Sequence, residues 1–421
     1  MYVDEGGIAP GDGRVESEFE RYLEDPGHFP DPYPLFHRIR AVNPIYRATN
    51  GLWCITNYEA THAALKNVSL SRHEGAISEV LSLRNEDDDL ETSKAIDSFQ
   101  NFFLNLDDPD HLRIRRLASG PFVPKAVQKW KPLVEDVVRN ILDEFEVGED
   151  FDFVTRVAYP VPERVICTIL GVPSSDHELW NRWSNAIIVQ NRAERSANEN
   201  RDAAREAFIS FDGYARELIR ERRHNLGDDL LSFLISAEEE GKGLAEDELV
   251  ATLILLIIAG HETTANTLAN VTRLLVENPD QLEMLRDDPA LIPGSVEEAV
   301  RMETPATGGM RVALEDTEVV GNKIAAGDRV MTFITAANHD PDWFPDPERF
   351  DIMRRGTHLA FGSGMHYCLG APLARLEGEV LVRNISQRVT FEMAGRETWR
   401  PNHLRLVETV PMRLAARRQL D

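Results

Sequence analysis

Apolar residues recur at three- and four-residue spacings over 133–145, 202–223 and 281–286, which lines one face of a helix in each case. The longest nearly apolar run, 249–259, opens a helical stretch that continues to residue 277. At 11 residues the run is about half of what a bilayer-spanning helix needs, so it predicts no membrane crossing. Strand patterns are fewer. Residues 44–57, PIYRATNGLWCITN, read as two short strands around an Asn50-Gly51 turn. A second strand-rich stretch, 311–336, has short apolar runs punctuated by Gly321 and Gly327. No repeat, low-complexity tract or Pro/Ser-rich linker divides the chain. The pattern predicts one mainly α-helical domain over 20–421 with a small β component, preceded by a frayed, glycine-rich leader over 1–19. Acidic clusters at 86–89 and 238–240 lack the alternating ligands and central glycine of a calcium loop and read as solvated loops. The polar segment 190–205 reads as a mobile surface stretch rather than core.

Composition narrows the partners. The chain of 421 residues carries 46 Lys+Arg against 71 Asp+Glu, a formal charge of −25. Nucleic acid and anionic membrane are polyanions, so neither is expected as the main partner. The three cysteines, Cys54, Cys167 and Cys368, are far apart and form no CxxC pair, which argues against a disulfide framework and fits a reducing cytoplasm. The start of the chain, MYVDEGGIAPGDGR, has neither a basic n-region nor an apolar h-region, so no signal peptide is read there.

The most informative segment is 361–375, FGSGMHYCLGAPLAR. Gly362 and Gly364 precede Cys368, and Gly370 follows it. Glycines permit positive φ and close approach of backbone to a flat ligand. Pro372 suits the first turn of a helix whose periodicity continues over 373–385. Cys368 therefore falls just before a helix N-terminus, where backbone N–H groups and the helix dipole favour thiolate. A thiolate on a glycine loop is what a metal ligand requires. Cys54, inside a strand, and Cys167, inside the apolar VICTIL run, read as inert buried thiols. A His366–Cys368 zinc pair lacks the second pair a structural site needs.

Three other patterns carry chemistry. Ala259-Gly260 removes bulk in mid-helix, so a planar cofactor and a small ligand could lie against that face. Thr263 stands four residues after Ala259 and can bond its carbonyl, loosening the ladder. Glu262 sets an acid beside that hydroxyl, a pair able to relay protons; a glycine-kinked core helix is the plainer alternative. Glu298 and Arg301 share a helix face at i,i+3 and can pair. His111 and Arg115, at i,i+4, can reach one anionic group.

Residues 361–370 resemble the haem-binding signature of the cytochrome P450 family, FGxGxHxCxG, at every fixed position: Phe361, Gly362, Gly364, His366, Cys368 and Gly370. The resemblance implies that Cys368 is the axial thiolate of haem iron and that His366 hydrogen-bonds a haem propionate. Residues 259–263 match the family's AGxET element, which implies proton delivery by Glu262 and Thr263 with Ala259 and Gly260 against the cofactor. Glu298, Arg301 and Arg349 (in the PERF segment 347–350) resemble the structural ExxR…PERF network. His111, Arg115 and Arg311 resemble propionate ligands. One departure is His339, where many relatives carry Arg; a local effect is expected. The motifs occur in the family's order, and the resemblance runs from about residue 20 to the C-terminus.

The implied fold is a triangular helical prism with a long central helix and small β-sheets. The implied activity is a soluble bacterial-type monooxygenase carrying haem b. It inserts one atom of O2 into a small apolar organic substrate, by hydroxylation or epoxidation. Electrons come from NAD(P)H through a ferredoxin chain. Oxidative coupling or desaturation by the same machinery is the alternative. A non-catalytic relative is a further one, although such relatives typically lack the cysteine or the Glu–Thr pair present here. Substrate walls are expected from 77–100, 180–205, Ile258, Ala259, Thr307, Gly308, Met310 and 402–404, with Leu404. A cytoplasmic monomer is expected.

Residues 111–131 contain no Asp or Glu, unusual in so acidic a chain. If Arg115 faces the haem, then Arg113, Arg116, Lys125, Lys129 and Lys131 surround the face nearest Cys368. They predict a basic dock for an acidic ferredoxin, weakened by salt. A solvated helix with scattered basic residues is the alternative.

Overall fold

The computed structural model describes residues 13–25, 29, 31–74, 88–189, 197–237, 243–400 and 404–418. Its axis is the helix Glu246–Glu277. Glu246, Asp247 and Glu248 occupy the first turn, where the helix dipole favours acids. Glu248 also accepts from the Ala245 N–H at 2.9 Å. Leu249 to Ile257 are buried on every side, which is how a helix apolar all round behaves in a large core. Length and composition would let this helix cross a bilayer, but 72% of its most apolar window is buried inside the protein. Each large aliphatic chain so buried contributes about 1.5–3 kcal/mol. The helices Pro160–Leu170, Ile292–Met302, Ala371–Gln387 and Ala197–His224 pack around it.

One mixed sheet lies to the side. Its strands run in the order Ile45–Arg47, Trp53–Ile55, Arg329–Phe333, Gly308–Ala313, Leu70–Ser71. All neighbours are antiparallel except Trp53–Ile55 against Arg329–Phe333. The Asn50-Gly51 turn is present, with Gly51 at φ 83°. A second sheet joins Asp150–Asp152, Pro411–Arg417 and Val389–Met393.

Three readings of the chain change. The boundary expected after residue 19 falls inside the helix Arg14–Glu24, whose Val15 and Phe19 are buried against Phe333 and Ala336; residues 1–12 lie outside the described residues. In 190–205, the described part 197–205 begins the 28-residue helix Ala197–His224, and Ala204 is fully buried. Asp202 and Ala203 are exposed while Ala204 turns into the core, a one-sided burial that a composition argument cannot see; 190–196 lie outside the described residues. Asp88, expected in a solvated loop, is nearly buried in an ion pair with Arg205. Residues 86–87 and 238–240 lie outside the described residues.

The scaffold behind the cysteine loop also differs in one member. Glu298 and Arg301 pair face to face at 2.8 and 2.9 Å, both buried. Arg301 also donates to the carbonyls of Asn338 (2.8 Å) and Pro347 (2.7 Å). The second arginine on Glu298 is Arg354, at 2.9 Å, not Arg349. Arg349 is exposed and contributes its carbonyl to the Arg354 guanidinium, which also gathers the carbonyls of Pro345 and Asp346. Those carbonyls fold the chain around Arg354, so the residue five positions later reaches the glutamate. His339 is buried between the Glu348 carboxylate (2.9 Å) and the Met302 carbonyl (2.8 Å), stacked on Tyr33.

Candidate active site

Residues 361–370 fold back on themselves. The Cys368 N–H donates to the Phe361 carbonyl at 2.8 Å, and the Tyr367 N–H to Gly364 at 3.1 Å. Gly362 and Gly364 hold φ of 73° and 71°, where a side chain is strained. The tight approach at Gly364 is to protein: a Cβ there would stand 2.8 Å from the Leu65 carbonyl oxygen. Gly370 has an ordinary φ of −78°, and a Cβ on it would meet no protein atom within 4 Å, so the chain itself imposes no glycine there. Phe361 is capped by the Arg375 guanidinium 4.4 Å from its ring centre.

Cys368 is exposed, directly before the helix Ala371–Gln387. Dense surrounding protein raises the free thiol's pKa. The Gly370 and Ala371 N–H groups, Arg115 and Arg375 oppose that rise. The helix N-terminus therefore acts in the expected direction but does not prevail in the free thiol; a metal cation on the sulfur reverses that balance. Cys54 and Cys167 are buried thiols pushed up to about 12, chiefly by desolvation.

Beside the loop the chain gathers cations. Arg115 hands a guanidinium N–H to the Tyr367 carbonyl. The rings of His111 and His366 lie 4.4 Å apart. Asp108 holds His111 Nδ1 at 3.3 Å, whereas His111 Nε2 and both ring nitrogens of His366 are buried with no hydrogen-bond partner in the described structure. Burial, then His111, Arg311, Arg72 and Arg115, bring His366 down to about 3. Arg311 projects from the strand Gly308–Ala313 and is brought down to about 10 by burial and by Arg72. Orphaned imidazole nitrogens between guanidiniums are what carboxylates satisfy. The donors therefore fit haem b: a cysteine for its iron and a cationic rim for its propionates. Arg72 was invisible in the sequence, because strand pairing alone brings it to residue 311.

On the central helix the Thr263 hydroxyl bonds the Ala259 carbonyl at 2.8 Å, as the four-residue spacing predicts. Gly260 faces away from that side. A Cβ on it would touch Ile166 at 3.5–3.6 Å, so this glycine serves packing against Pro160–Leu170 rather than a cofactor. One residue turns the helix by about 100°, which separates Gly260 from exposed Ala259.

The same rotation corrects Glu262. Its carboxylate does not sit beside the Thr263 hydroxyl: Oε1 accepts from Tyr159 Oη and, at 2.8 Å, from Arg400 Nη1. Oε2 is buried with no hydrogen-bond partner in the described structure. Burial raises the pKa of this carboxyl, and Arg400 and Tyr159 oppose the rise in part. Tyr159 stands between a single π-helical turn, Val154–Ala158, and the helix Pro160–Leu170. Neither partner carries a sequence pattern.

The expected substrate walls are redistributed. Ile258 is half-buried against the main core, and the Thr307 carbonyl accepts from the Thr335 N–H at 3.1 Å. A Cβ on Gly308 would run into the Thr332 carbonyl, so that glycine permits strand pairing. Met310 packs with Met331 against the N-terminal helices. Side chains alternate along a strand, so Met310 takes the face opposite Arg311 and leaves the wall. Leu404 is half-buried; residues 77–87, 190–196 and 401–403 lie outside the described residues.

The basic stretch is thinner than its composition. Arg113 is taken by Glu248 of the central helix (3.0 Å) and by Asp110 (3.2 Å), and Lys131 stands 3.8 Å from Glu135. The acids come from outside the stretch or from its edge. Arg116, Lys125 and Lys129 are exposed, among exposed Leu112, Val123 and Tyr367.

A helical fold around one long helix, with a cysteine offered at a helix start and carboxylate-seeking donors beside it, defines the class of haem-thiolate proteins. A sequence model of the cytochrome P450 family matches residues 67–414, and the chain belongs to that family. It is 35% identical to the 6-deoxyerythronolide B hydroxylase of Saccharopolyspora erythraea, over 93% of this chain and 98% of that one. It is 34% identical to the cytochrome P450 monooxygenase PikC of Streptomyces venezuelae, over 91% of each. The crystal structure of P450BioI, in complex with an acyl carrier protein ligated to hexadec-9Z-enoic acid, superposes with a TM-score of 0.83 at 33% identity, covering 92% of this chain and 100% of that one. The protein is a haem-thiolate monooxygenase of bacterial type that uses haem b and O2.

Proposed function

We propose that this enzyme oxygenates a C–H or C=C bond of a small apolar natural-product skeleton, within one domain that begins at its first helix. The observation that carries the reading is Cys368, exposed at a helix start and served by the N–H groups of Gly370 and Ala371. When bound, haem supplies reductive activation of O2 and the oxidising power for the substrate. Cys368 holds the iron. His111, His366, Arg115 and Arg311 hold the propionates by charge-assisted hydrogen bonds. Thr263, whose hydroxyl donates to the carbonyl of exposed Ala259, holds a proton at that hydroxyl on the reaction side.

Glu262 is the reservoir behind it, and it delivers a proton only after its carboxyl leaves Arg400 and Tyr159. Ile258 and Ala259 exclude water, and Thr307 and Leu404 complete the described part of the pocket. The hydroxylase and monooxygenase names of its relatives favour hydroxylation or epoxidation; coupling or desaturation would use the same residues. Electrons arrive from an acidic ferredoxin docked on Arg116, Lys125 and Lys129, with Arg113 and Lys131 lending less because acids already pair them. Three unpaired cysteines suit a cytoplasmic protein, which we take as a monomer.

The test is the carbon-monoxide difference spectrum of the reduced protein. The parent should show the red-shifted thiolate band and Cys368→Ala should lose it; a band that survives the substitution refutes the ligand. Conversion of the haem to high spin, scored across macrolide, fatty-acyl, terpene and steroid ligands, then ranks substrate classes. Glu replacements at Arg116, Lys125 and Lys129 should slow ferredoxin-supported reduction most at low salt.

A further inference from the structure

We propose that His261 Nε2 and Glu262 Oε2 hold one buried water between them, and that Glu262 regains its proton through it. The inference rests on the reading of Glu262 as a proton reservoir and adds the site that refills it. His261 occupies the position that the AGxET element leaves open, beside the acid and almost as deeply buried, at 2% exposure.

Tyr159 clamps both side chains. Its hydroxyl donates to Glu262 Oε1, its main chain bonds the His261 ring, and the two ring centres lie 5.2 Å apart. The π-helical turn Val154–Ala158 sets Tyr159 in place, its N–H reaching back to the Val154 carbonyl at 2.9 Å. The Tyr159 carbonyl holds the Glu163 N–H only at 3.3 Å, which leaves it acceptor capacity for the imidazole. Nε2 of His261 is buried with no hydrogen-bond partner in the described structure, so the nitrogen bonded to Tyr159 is Nδ1. A carbonyl only accepts; Nδ1 therefore carries the proton and Nε2 is bare. Burial keeps the ring neutral, bringing it down to about 4.

Glu262 has the same need on its free side. Oε1 is filled by Tyr159 and by Arg400, at 2.8 Å, which leaves Oε2 for anything further. Two buried acceptors at one clamp call for a small donor with two hydrogens, and water is that donor. It gives one O–H to Nε2 and the other to ionised Oε2. When Glu262 is protonated, the water accepts the Oε2 hydrogen and still donates to Nε2. His261 is thus a positioning residue that fixes which way the water points.

Arg400 marks the side toward solvent. Its guanidinium stands 5.6 Å from the Tyr159 ring centre, and its charge reaches both His261 and Glu262. Its side chain is 16% exposed, against 1% for Glu262. A proton arriving from that side bonds to the water oxygen as the water's own proton passes to Oε2. One O–H bond forms at the carboxyl for each that breaks in the water, and the water is restored.

The experiment compares crystal structures of the haem-loaded parent and His261→Leu, together with solvent isotope effects on turnover. The parent should show an ordered water about 2.7–3.2 Å from both atoms, and His261→Leu should lack it. Turnover of His261→Leu should fall roughly tenfold, less than the hundredfold or more of losing the acid itself. The solvent isotope effect should rise and less product should form per reduced nicotinamide consumed, while KM, spin conversion and the carbonyl band stay parental. His261→Gln, which can donate to the Tyr159 carbonyl and still offer an acceptor, should restore the water and most of the rate.

A parent without that water overturns the proposal, and so does a water that survives in His261→Leu. A parental isotope effect in His261→Leu overturns it too. Failure of His261→Gln to recover what His261→Leu loses would return the ring to packing. If His261→Leu does not fold, His261→Phe beside His261→Gln carries the same comparison. Parental turnover in Glu262→Gln would fail earlier, at the reservoir reading itself, whatever the density shows.

Discussion

Glu298 and Glu262 are both glutamates on helices, both almost fully buried and both bonded to arginine, yet their surroundings are opposite. Both Glu298 oxygens are engaged, by Arg301 on each, and by Arg354 and the Asp351 N–H on Oε1. The Glu262 bonds crowd onto Oε1, from Tyr159 and Arg400, while Oε2 has no hydrogen-bond partner in the described structure. A saturated carboxylate among fixed partners is scaffold, because any movement breaks several charge-assisted bonds at once. A half-saturated one keeps an oxygen available and loses less by turning. The two residues show how one side-chain type serves architecture in one helix and proton traffic in another.

Breaking the saturated site should have the largest effect. Glu298→Ala leaves the Arg301 and Arg354 guanidiniums buried without their carboxylate, which costs about 3–5 kcal/mol in comparable buried pairs. Urea denaturation should report that loss, or the protein should fail to accumulate. Haem-bearing protein with parental stability would remove the distinction between the two glutamates.

The half-saturated site should respond in rate rather than stability. Glu262→Gln should keep the fold, the carbonyl band and substrate-induced spin conversion. Turnover should fall about a hundredfold, the order expected when a general acid is lost, and the solvent isotope effect should rise. Tyr159→Phe removes one of the two anchors and should shift the pH profile of coupled turnover without altering haem content. An unchanged profile would return Tyr159 to packing.

What the sequence could show of these sites follows from how far apart their partners stand. Thr263 and Ala259, or Glu298 and Arg301, meet within one helical turn, so spacing alone predicts them. Arg354 lies 56 residues from Glu298, Tyr159 lies 103 from Glu262 and Arg400 lies 138 from it. Those meetings depend on chain path, which periodicity does not encode. The same limit hid Arg72, and it let Arg349 stand in for Arg354. The helices, the 45–55 hairpin and the cysteine loop were legible because each is a local pattern. Gly260 and Met310 were misplaced for a subtler reason: the element was right, but the face was off by one residue.

That face error can be tested cheaply. Gly260→Ala adds a methyl at ordinary contact distance from Ile166. Replacing glycine in a helix interior should then stabilise the protein by roughly 0.5–1 kcal/mol, with haem content and the carbonyl spectrum unchanged. Loss of haem would restore Gly260 to the cofactor face.

The smallest effect is in pH, and it sets Glu262 against Glu297, the neighbour of Glu298. Burial alone would push Glu297 up, but hydrogen bonds from His358 and Arg375 outweigh it and bring the carboxyl down to about 2 from 4.5. A depressed folded pKa stabilises above 4.5, and that stabilisation is lost as pH falls toward 2. Glu262 has the reverse sign: burial raises its pKa, so its contribution is full below 4.5 and is lost as pH rises through the folded value. Urea midpoints across the acid range should therefore lose part of their low-pH decline in Glu297→Gln and part of a decline above 4.5 in Glu262→Gln. The Glu297 amplitude should be modest, because its side chain is 39% exposed and solvent screens the pair. A Glu262→Gln curve that instead loses part of its decline below 4.5, as Glu297→Gln does, would mean that Arg400 holds the carboxylate charged, and the half-saturated site would then be scaffold after all.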